Sequence, residues 1–178
     1  MRIVRIGITG HIGLDPGSRG MIYRALCRYL RSFRQPVHGV SCLADGADRL
    51  FVNAVLTVRG TFEVVLPVPE GPEPAGPDPE LRELLDLAAE ITPVSAAGAP
   101  EVAYEAANRE MLRRVEVLVA VWDGDTRGGR GGTSETVALA RDLGRTVHVV
   151  WPDGASRRSP QSPQSPRASS SASVLIAS

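Results

Sequence analysis

The residues best placed to do chemistry are glycines. Gly128, Gly129, Gly131 and Gly132 fall within five positions and run directly into Thr133, Ser134 and Glu135. Consecutive glycines let successive backbone N–H groups turn toward one point with no side chain in the way, a geometry suited to phosphate. A helix starting at Thr133 would add roughly half a positive charge at its N-terminus, and Thr133 or Ser134 would supply a hydroxyl. Glu135 fits an anion site in one of two ways: it holds sugar hydroxyls, or it works as a general base. It also fits a purely structural role, a reciprocal cap at the helix start worth about 0.3–1 kcal/mol.

Three further segments put polar residues beside glycine or proline. In Thr9-Gly10-His11 the glycine permits close backbone approach to a ligand and the threonine hydroxyl can donate to phosphate; the same residues also make a tight strand-to-helix turn. His11, with an unperturbed pKa near 6.5, has the range of a ligand contact or an acid–base group. In the stretch Ser41, Cys42, Leu43, Ala44, Asp45, Gly46, Ala47 and Asp48, Asp45 can cap a following helix. The next amides can hold an anion, and Asp48 suits the helix dipole. Pro67 opens a proline-, glycine- and acid-rich stretch that is either a lid or an irregular connection. Asp123 and Gly124 end the apolar run Val119-Ala120-Val121-Trp122, in position for ligand contact.

Absences narrow the chemistry. All 20 basic residues are arginine, so a Schiff-base lysine and a P-loop lysine are excluded. No Gly-x-Gly-x-x-Gly follows the first strand, which argues against an NAD or FAD site. His11, His38 and His148 stand apart from one another and from Cys27 and Cys42, so no metal set is expected, and no cofactor.

The elements that position these residues follow from periodicity. Strands are predicted at 3–9, 37–41, 61–66, 115–122 and 146–151. Helices are predicted at 18–33, 46–58, 80–90, 102–114 and 133–143, and a loop at 68–79, where proline is too dense for regular structure. This alternation calls for an α/β fold, a Rossmann-like three-layer α/β/α sandwich on a mainly parallel sheet of about five strands. In such sheets ligands bind beyond the carboxyl ends of the strands, which is where the polar loops lie.

Residues 1–154 read as one domain, and 155–178 as a disordered Ser/Pro-rich tail ending in the apolar patch 174–177. Two cysteines within predicted helix and strand suit buried thiols in a reducing compartment. With no signal peptide and no membrane-length apolar run, a cytoplasmic protein is expected. Formal net charge is zero, which argues against DNA and membrane surfaces as partners and leaves a small ligand.

Taken in order, Thr9-Gly10-His11, Leu43-Ala44-Asp45-Gly46-Ala47-Asp48, Val65-Leu66-Pro67, Leu118 to Gly124 and Gly131-Gly132-Thr133-x-Glu135 resemble the SLOG superfamily, which includes the LOG-type phosphoribohydrolases and the DprA proteins. The resemblance covers about residues 3–151. It implies a Rossmann-like fold with a nucleotide-derived ligand over the glycine loop, and by analogy a homodimer. LOG enzymes carry Pro-Gly-Gly-x-Gly-Thr-x-x-Glu, with glycines on phosphate and the glutamate helping to cleave an N-glycosidic bond. Here the acid stands at Glu135 and position 136 is Thr136, a shift that turns a helical side chain by about 100°. Ile12 follows Gly10-His11 where an arginine is frequent. The pattern fits the non-LOG branch, many of whose members are read as ligand sensors. The expected function is thus binding or sensing of a nucleotide or nucleoside phosphate. The alternative is a nucleoside 5′-monophosphate N-glycosidase, with Glu135 catalytic and an arginine of the preceding helix, such as Arg109, holding the phosphate.

Overall fold

In the first strand Ile6 and Ile8 alternate with Arg5, Gly7 and Thr9, so each face of the strand carries a different residue set. The structure, a computed structural model, describes residues 2–69, 78–127 and 129–158. Its elements are β1 (Val4–Gly10), α1 (Pro16–Arg31), β2 (Val37–Ser41), α2 (Ala47–Thr57), β3 (Thr61–Pro69), α3 (Pro79–Leu87), β4 (Glu90–Ala96), α4 (Pro100–Arg114), β5 (Val117–Val121), α5 (Thr133–Asp142) and β6 (Thr146–Val149). The sheet order is β4-β3-β2-β1-β5-β6, and all five pairings are parallel. The chain moves outward from β1 to β4, then returns past β1 to build β5 and β6.

Right-handed crossovers then dictate which helices share a face. Ile6 and Ile8 pack with Ile22, Leu26 and Leu30 of α1, Phe51 and Val55 of α2 and Leu84 of α3. On the other face Val40, Val65, Leu118 and Ala120 pack with Met111 and Leu112 of α4 and Val137 and Ala140 of α5. Each fully buried large aliphatic contributes about 1.5–3 kcal/mol. Cys27 and Cys42 are free thiols, both buried. At the amino end of the sheet, buried Glu63 accepts from Arg5 (2.6 Å), His38 (3.2 Å) and Arg114 (3.4 Å). Burial alone would raise its pKa, but these donors hold the carboxyl below its usual value. The network ties the end of α4 to β1, β2 and β3, at the opposite edge from the polar loops.

The sheet has six strands, one more than the sequence predicts. The extra strand, β4, begins at the last residue of the predicted 80–90 helix and runs through residues to which no element was assigned. It is an edge strand, largely exposed, so it lacks a strong apolar pattern, and an edge tolerates Pro93. Pro67 does not stop β3, which continues to Pro69 beside β4. The Phe62 carbonyl accepts the Ala89 N–H on the β4 side. Neighbouring residues of a strand turn to opposite sides, so positions 67 and 69 turn toward β2. Pairing with β2 ends at Ser41 opposite Val64, so the missing proline N–H groups have nothing to bond there.

After β6 the chain crosses back over β5 toward β1. The Arg158 N–H donates to the Gly13 carbonyl (2.8 Å) and the Asp15 N–H to that of Ser156 (3.2 Å), an antiparallel bridge between Leu14 and Arg157. Residues 155–158 are therefore tied to the domain. Of the expected tail, 159–178 lies outside the described residues, as do most of the predicted 68–79 loop and Gly128 of the glycine run. No helix among the described residues is long and apolar enough to cross a membrane, and none of their acidic, histidine and cysteine side chains cluster in a way that could hold a metal ion.

Candidate ligand site

The glycine run turns into α5 as its composition suggests. Gly131 has φ +70°, the left-handed conformation that glycine adopts without strain. Gly132 is the helix N-cap, with no side-chain cap bond. The cap comes from inside the helix: the Gly131 N–H donates to Glu135 Oε2 at 2.6 Å. Thr136 N–H and Oγ1 both donate to the Gly132 carbonyl. The turn rests on α4, where a Cβ at Gly131 would lie 3.0 Å from the Glu101 carbonyl oxygen and 3.3 Å from the Glu105 nitrogen. Asn108 fixes it further. Its Nδ2 donates to the Gly131 carbonyl (3.1 Å), and its Oδ1 accepts from the Cys42 thiol (3.6 Å). Burial pushes the Cys42 thiol well above its ordinary pKa, which keeps it a donor.

A groove of about 230 Å³ opens between α4 and α5, lined by Glu105, Asn108, Arg109, Gly131, Glu135 and Thr136 among others. Arg130 pairs with Glu105 at 2.6 Å and Arg109 with the same carboxylate at 3.6 Å. The hydrogen bond from Arg130 holds the Glu105 carboxyl below its usual pKa. Thr133 is buried and Ser134 half-buried at the helix start. Of the expected residues, Gly131, Gly132, Thr133, Ser134, Glu135 and Arg109 are thus brought to one locality.

A second locality sits between β1 and β5, where the sheet order reverses and an open parallel sheet leaves a crevice. His11 Nε2 lies 2.9 Å from Asp123 Oδ1, and the His11 ring packs edge-on against Trp151. Arg157 donates to Asp123 Oδ2 (2.6 Å) and Asp125 Oδ2 (3.1 Å). Gly124 turns the chain between the two carboxylates with φ +87°. Burial lowers the His11 pKa, with Asp123 acting against it and Arg157 adding to it. Burial would raise Asp123, but the Asp125 amide, Arg157 and His11 bring it down to about 2. Asp125 lies lower still, chiefly through its bonds from Arg127. Both carboxylates here already have protein partners.

The loop after β2 closes on itself. Asp48 is buried; its Oδ2 accepts from the Ser41 hydroxyl (3.1 Å) and the carboxylate also accepts from the Ala44 and Cys42 amides. Burial outweighs these bonds and raises its pKa to about 7. The Ser41 Oγ accepts in turn from the Leu43 N–H. Asp45 does not cap α2, as was expected. Its Oδ1 accepts from the adjacent Gly46 N–H (2.7 Å), and Gly46 is the N-cap. The amides at this helix start are not all open to an anion either, because the Ala47 N–H is taken by the His11 carbonyl (3.2 Å). Gly10 makes room for that packing: a Cβ there would lie 2.4 Å from Ala47 Cβ and 2.8 Å from Val121 Cβ. Thr9 is buried on the α4 side of β1, level with Ala120, and Pro67 lies within β3.

The expected residues therefore fall into three groups, linked by the Cys42–Asn108–Gly131 bonds and by the bond from Ala47 N–H to the His11 carbonyl. Sequence reasoning missed Asn108 and Glu105, which face the glycine turn from α4, and Arg157, Asp125 and Trp151, which fill the crevice. A helical reading of α4 carries signal for the first pair, since Glu101, Glu105 and Asn108 recur at i, i+4 and i+7 on the face that meets the turn. Arg157 had none, lying at the start of a serine- and proline-rich stretch.

No family model and no curated protein matches the sequence. Solved structures do match in fold. The DNA processing protein A (DprA) of Streptococcus pneumoniae aligns with a TM-score of 0.61 and 15% identity, over 84% of this chain and 51% of that one. This chain thus spans about half of that protein. The structural-genomics target TM1055 aligns with a TM-score of 0.54 and 19% identity, over 81% and 72%. The molybdenum cofactor carrier protein of Chlamydomonas reinhardtii aligns with a TM-score of 0.50 and 19% identity, over 83% and 76%. Six parallel strands in this order and these alignments together give the chain a Rossmann-like α/β/α fold, which those proteins share.

Proposed function

We propose that this domain binds a nucleotide or nucleoside phosphate, its phosphate on the glycine turn at the start of α5 and its sugar in the groove between α4 and α5. One observation carries the reading: a carboxylate oxygen already sits 2.6 Å from the Gly131 N–H. The Gly131 N–H thus already meets an anionic oxygen, supplied by Glu135 from within the helix. A phosphate arriving there displaces Glu135, an exposed side chain, which is then free to meet sugar hydroxyls. Arg109 and Arg130 stand at the same place with side chains 49% and 61% exposed, able to turn from Glu105 to the ligand. Among proteins of this fold, one is named as a carrier of the molybdenum cofactor, which supports a ligand-holding role. Zero net charge favours a small ligand over DNA.

A second reading draws on Arg109 and Glu135 lining one groove. In an N-glycosidase, Arg109 would hold the 5′-phosphate while Glu135 stabilises the developing oxocarbenium ion or takes a proton from water. Water then adds at the anomeric carbon as the bond to the base breaks, and the base leaves with a proton. Incubation with a panel of nucleoside monophosphates, followed by chromatography for free base and by thermal shift, separates the two. A thermal shift without base release is expected. Base release abolished by Glu135→Gln would establish the enzyme instead, and no shift with any nucleotide would overturn both.

A further inference from the structure

The crevice between β1 and β5, where an open parallel sheet receives its ligands, is covered by the chain's own segment 152–158. The cover is held at three points. Arg157 reaches the β5 tip, donating to Asp123 at 2.6 Å and Asp125 at 3.1 Å, with its side chain 16% exposed. Backbone bonds join it to the loop after β1, from Arg158 N–H to Gly13 and from Asp15 N–H to Ser156. The Ser156 N–H donates to Ser18 Oγ (2.8 Å) at the start of α1. Beneath it lies the His11–Asp123 pair with Trp151 against the ring.

These contacts differ in kind from those holding the sheet. No described side chain of residues 152–158 belongs to either hydrophobic core. Attachment rests on two charge-assisted bonds and a few backbone bonds at the molecular edge, the class of contact that opens locally without global unfolding. Asp123 also links the two layers, since one oxygen faces His11 and the other Arg157.

We propose that residues 152–158 form a strap that gates the β1–β5 crevice, with Arg157 as its latch, and that release of the latch uncovers His11 and the Asp123 and Asp125 carboxylates. The open crevice offers the Asp123 carboxylate beside the His11 imidazole, with Asp125 still bonded to Arg127, so it takes a cationic group at Asp123, as it now takes Arg157. This inference is independent of the nucleotide-binding reading.

Amide hydrogen exchange and diethylpyrocarbonate modification of the full chain test it, comparing wild type with Arg157→Gln, Arg157→Lys and Asp125→Asn. In Arg157→Gln, peptides covering 11–15 and 152–158 should exchange roughly five- to thirty-fold faster, as loss of such a pair implies. Exchange in β2, β3 and α4 should be unchanged. His11 should be modified faster in the same proportion, with His38 and His148 as internal references, and Arg157→Lys should fall between. Asp125→Asn weakens the latch from the other side and decides the matter if Arg157→Gln lowers global stability. Unchanged exchange and unchanged His11 reactivity in Asp125→Asn and Arg157→Gln would overturn the proposal. So would a uniform rise across all elements in both, which would make the segment a fixed part of the core.

Discussion

The connection from β5 to α5 carries acids at both ends, and they are used differently. At the strand end, Asp123 and Asp125 bind Arg157, Arg127 and His11 through side-chain bonds of 2.6–3.1 Å. At the helix end, Glu135 turns back onto a backbone N–H, and the arginines nearby share Glu105. Removing a partner from the first arrangement strands part-buried charge, whereas displacing Glu135 forfeits an exposed cap worth about 0.3–1 kcal/mol. The contrast teaches where a ligand can enter at small cost. The crevice carboxylates are bound by other side chains, whereas in the glycine turn the Gly132 N–H is bonded to the Gly129 carbonyl and the Gly131 N–H to the exposed Glu135.

The strand-tip side of this comparison can be broken most strongly at Asp48. Its pKa is raised to about 7, against about 3.9 in an unfolded chain. Between these values the folded protein keeps a proton that the unfolded chain has lost, so stability falls as pH rises from about 4 to 7. The fall amounts to roughly 4 kcal/mol if the whole shift is realised. Urea denaturation across that range should show the slope in wild type and its loss in Asp48→Asn. A slope shared by both would remove Asp48 from the tightly packed β2 loop.

Gly10→Val is next. With a Cβ meeting Ala47 at 2.4 Å and Val121 at 2.8 Å, the variant should lose roughly 1–3 kcal/mol in chemical denaturation. A fully stable variant would mean the strand tips are open enough for a ligand, against the comparison. Smallest is Glu135→Ala, which should cost about 0.3–1 kcal/mol in stability while tightening the binding of inorganic phosphate measured by calorimetry. Stability lost with phosphate binding also weakened would show that Glu135 organises the turn rather than occupying it.

How much of this was legible in the sequence follows from where side chains face. The buried central strands declared themselves, because Val119 to Val121 and Ile6 to Ile8 must be apolar wherever a helix layer covers them. β4 did not, since at an edge only one side is paired: Ile91 is exposed and Thr92, Val94 and Ala96 are only half-buried. The glycine turn was readable because φ +70° at Gly131 favours glycine. Its partners were not, because Asn108 meets it across 23 residues of sequence. The ligand contacts expected of the strand-tip loops rested on residue type alone. Gly10 and Gly46 have the composition of a binding loop, and they also let α2 approach β1 and the loop after it, a role that depends on tertiary distances. Arg157 was hidden by composition, since a Ser/Pro-rich neighbourhood argues for tail until a particular ion pair holds its first residues.

The central claim is that the amides at the start of α5 receive an anionic ligand. Titration of ¹⁵N-labelled protein with nucleoside monophosphates and with inorganic phosphate, following backbone amide resonances, tests it most directly. The account predicts saturable shifts at Gly131, Gly132, Thr133 and Ser134 with both, and none at His11 or Asp123 while the strap is latched. Saturable shifts confined to His11, Asp123 and their neighbours, with the α5 amides silent, would contradict it.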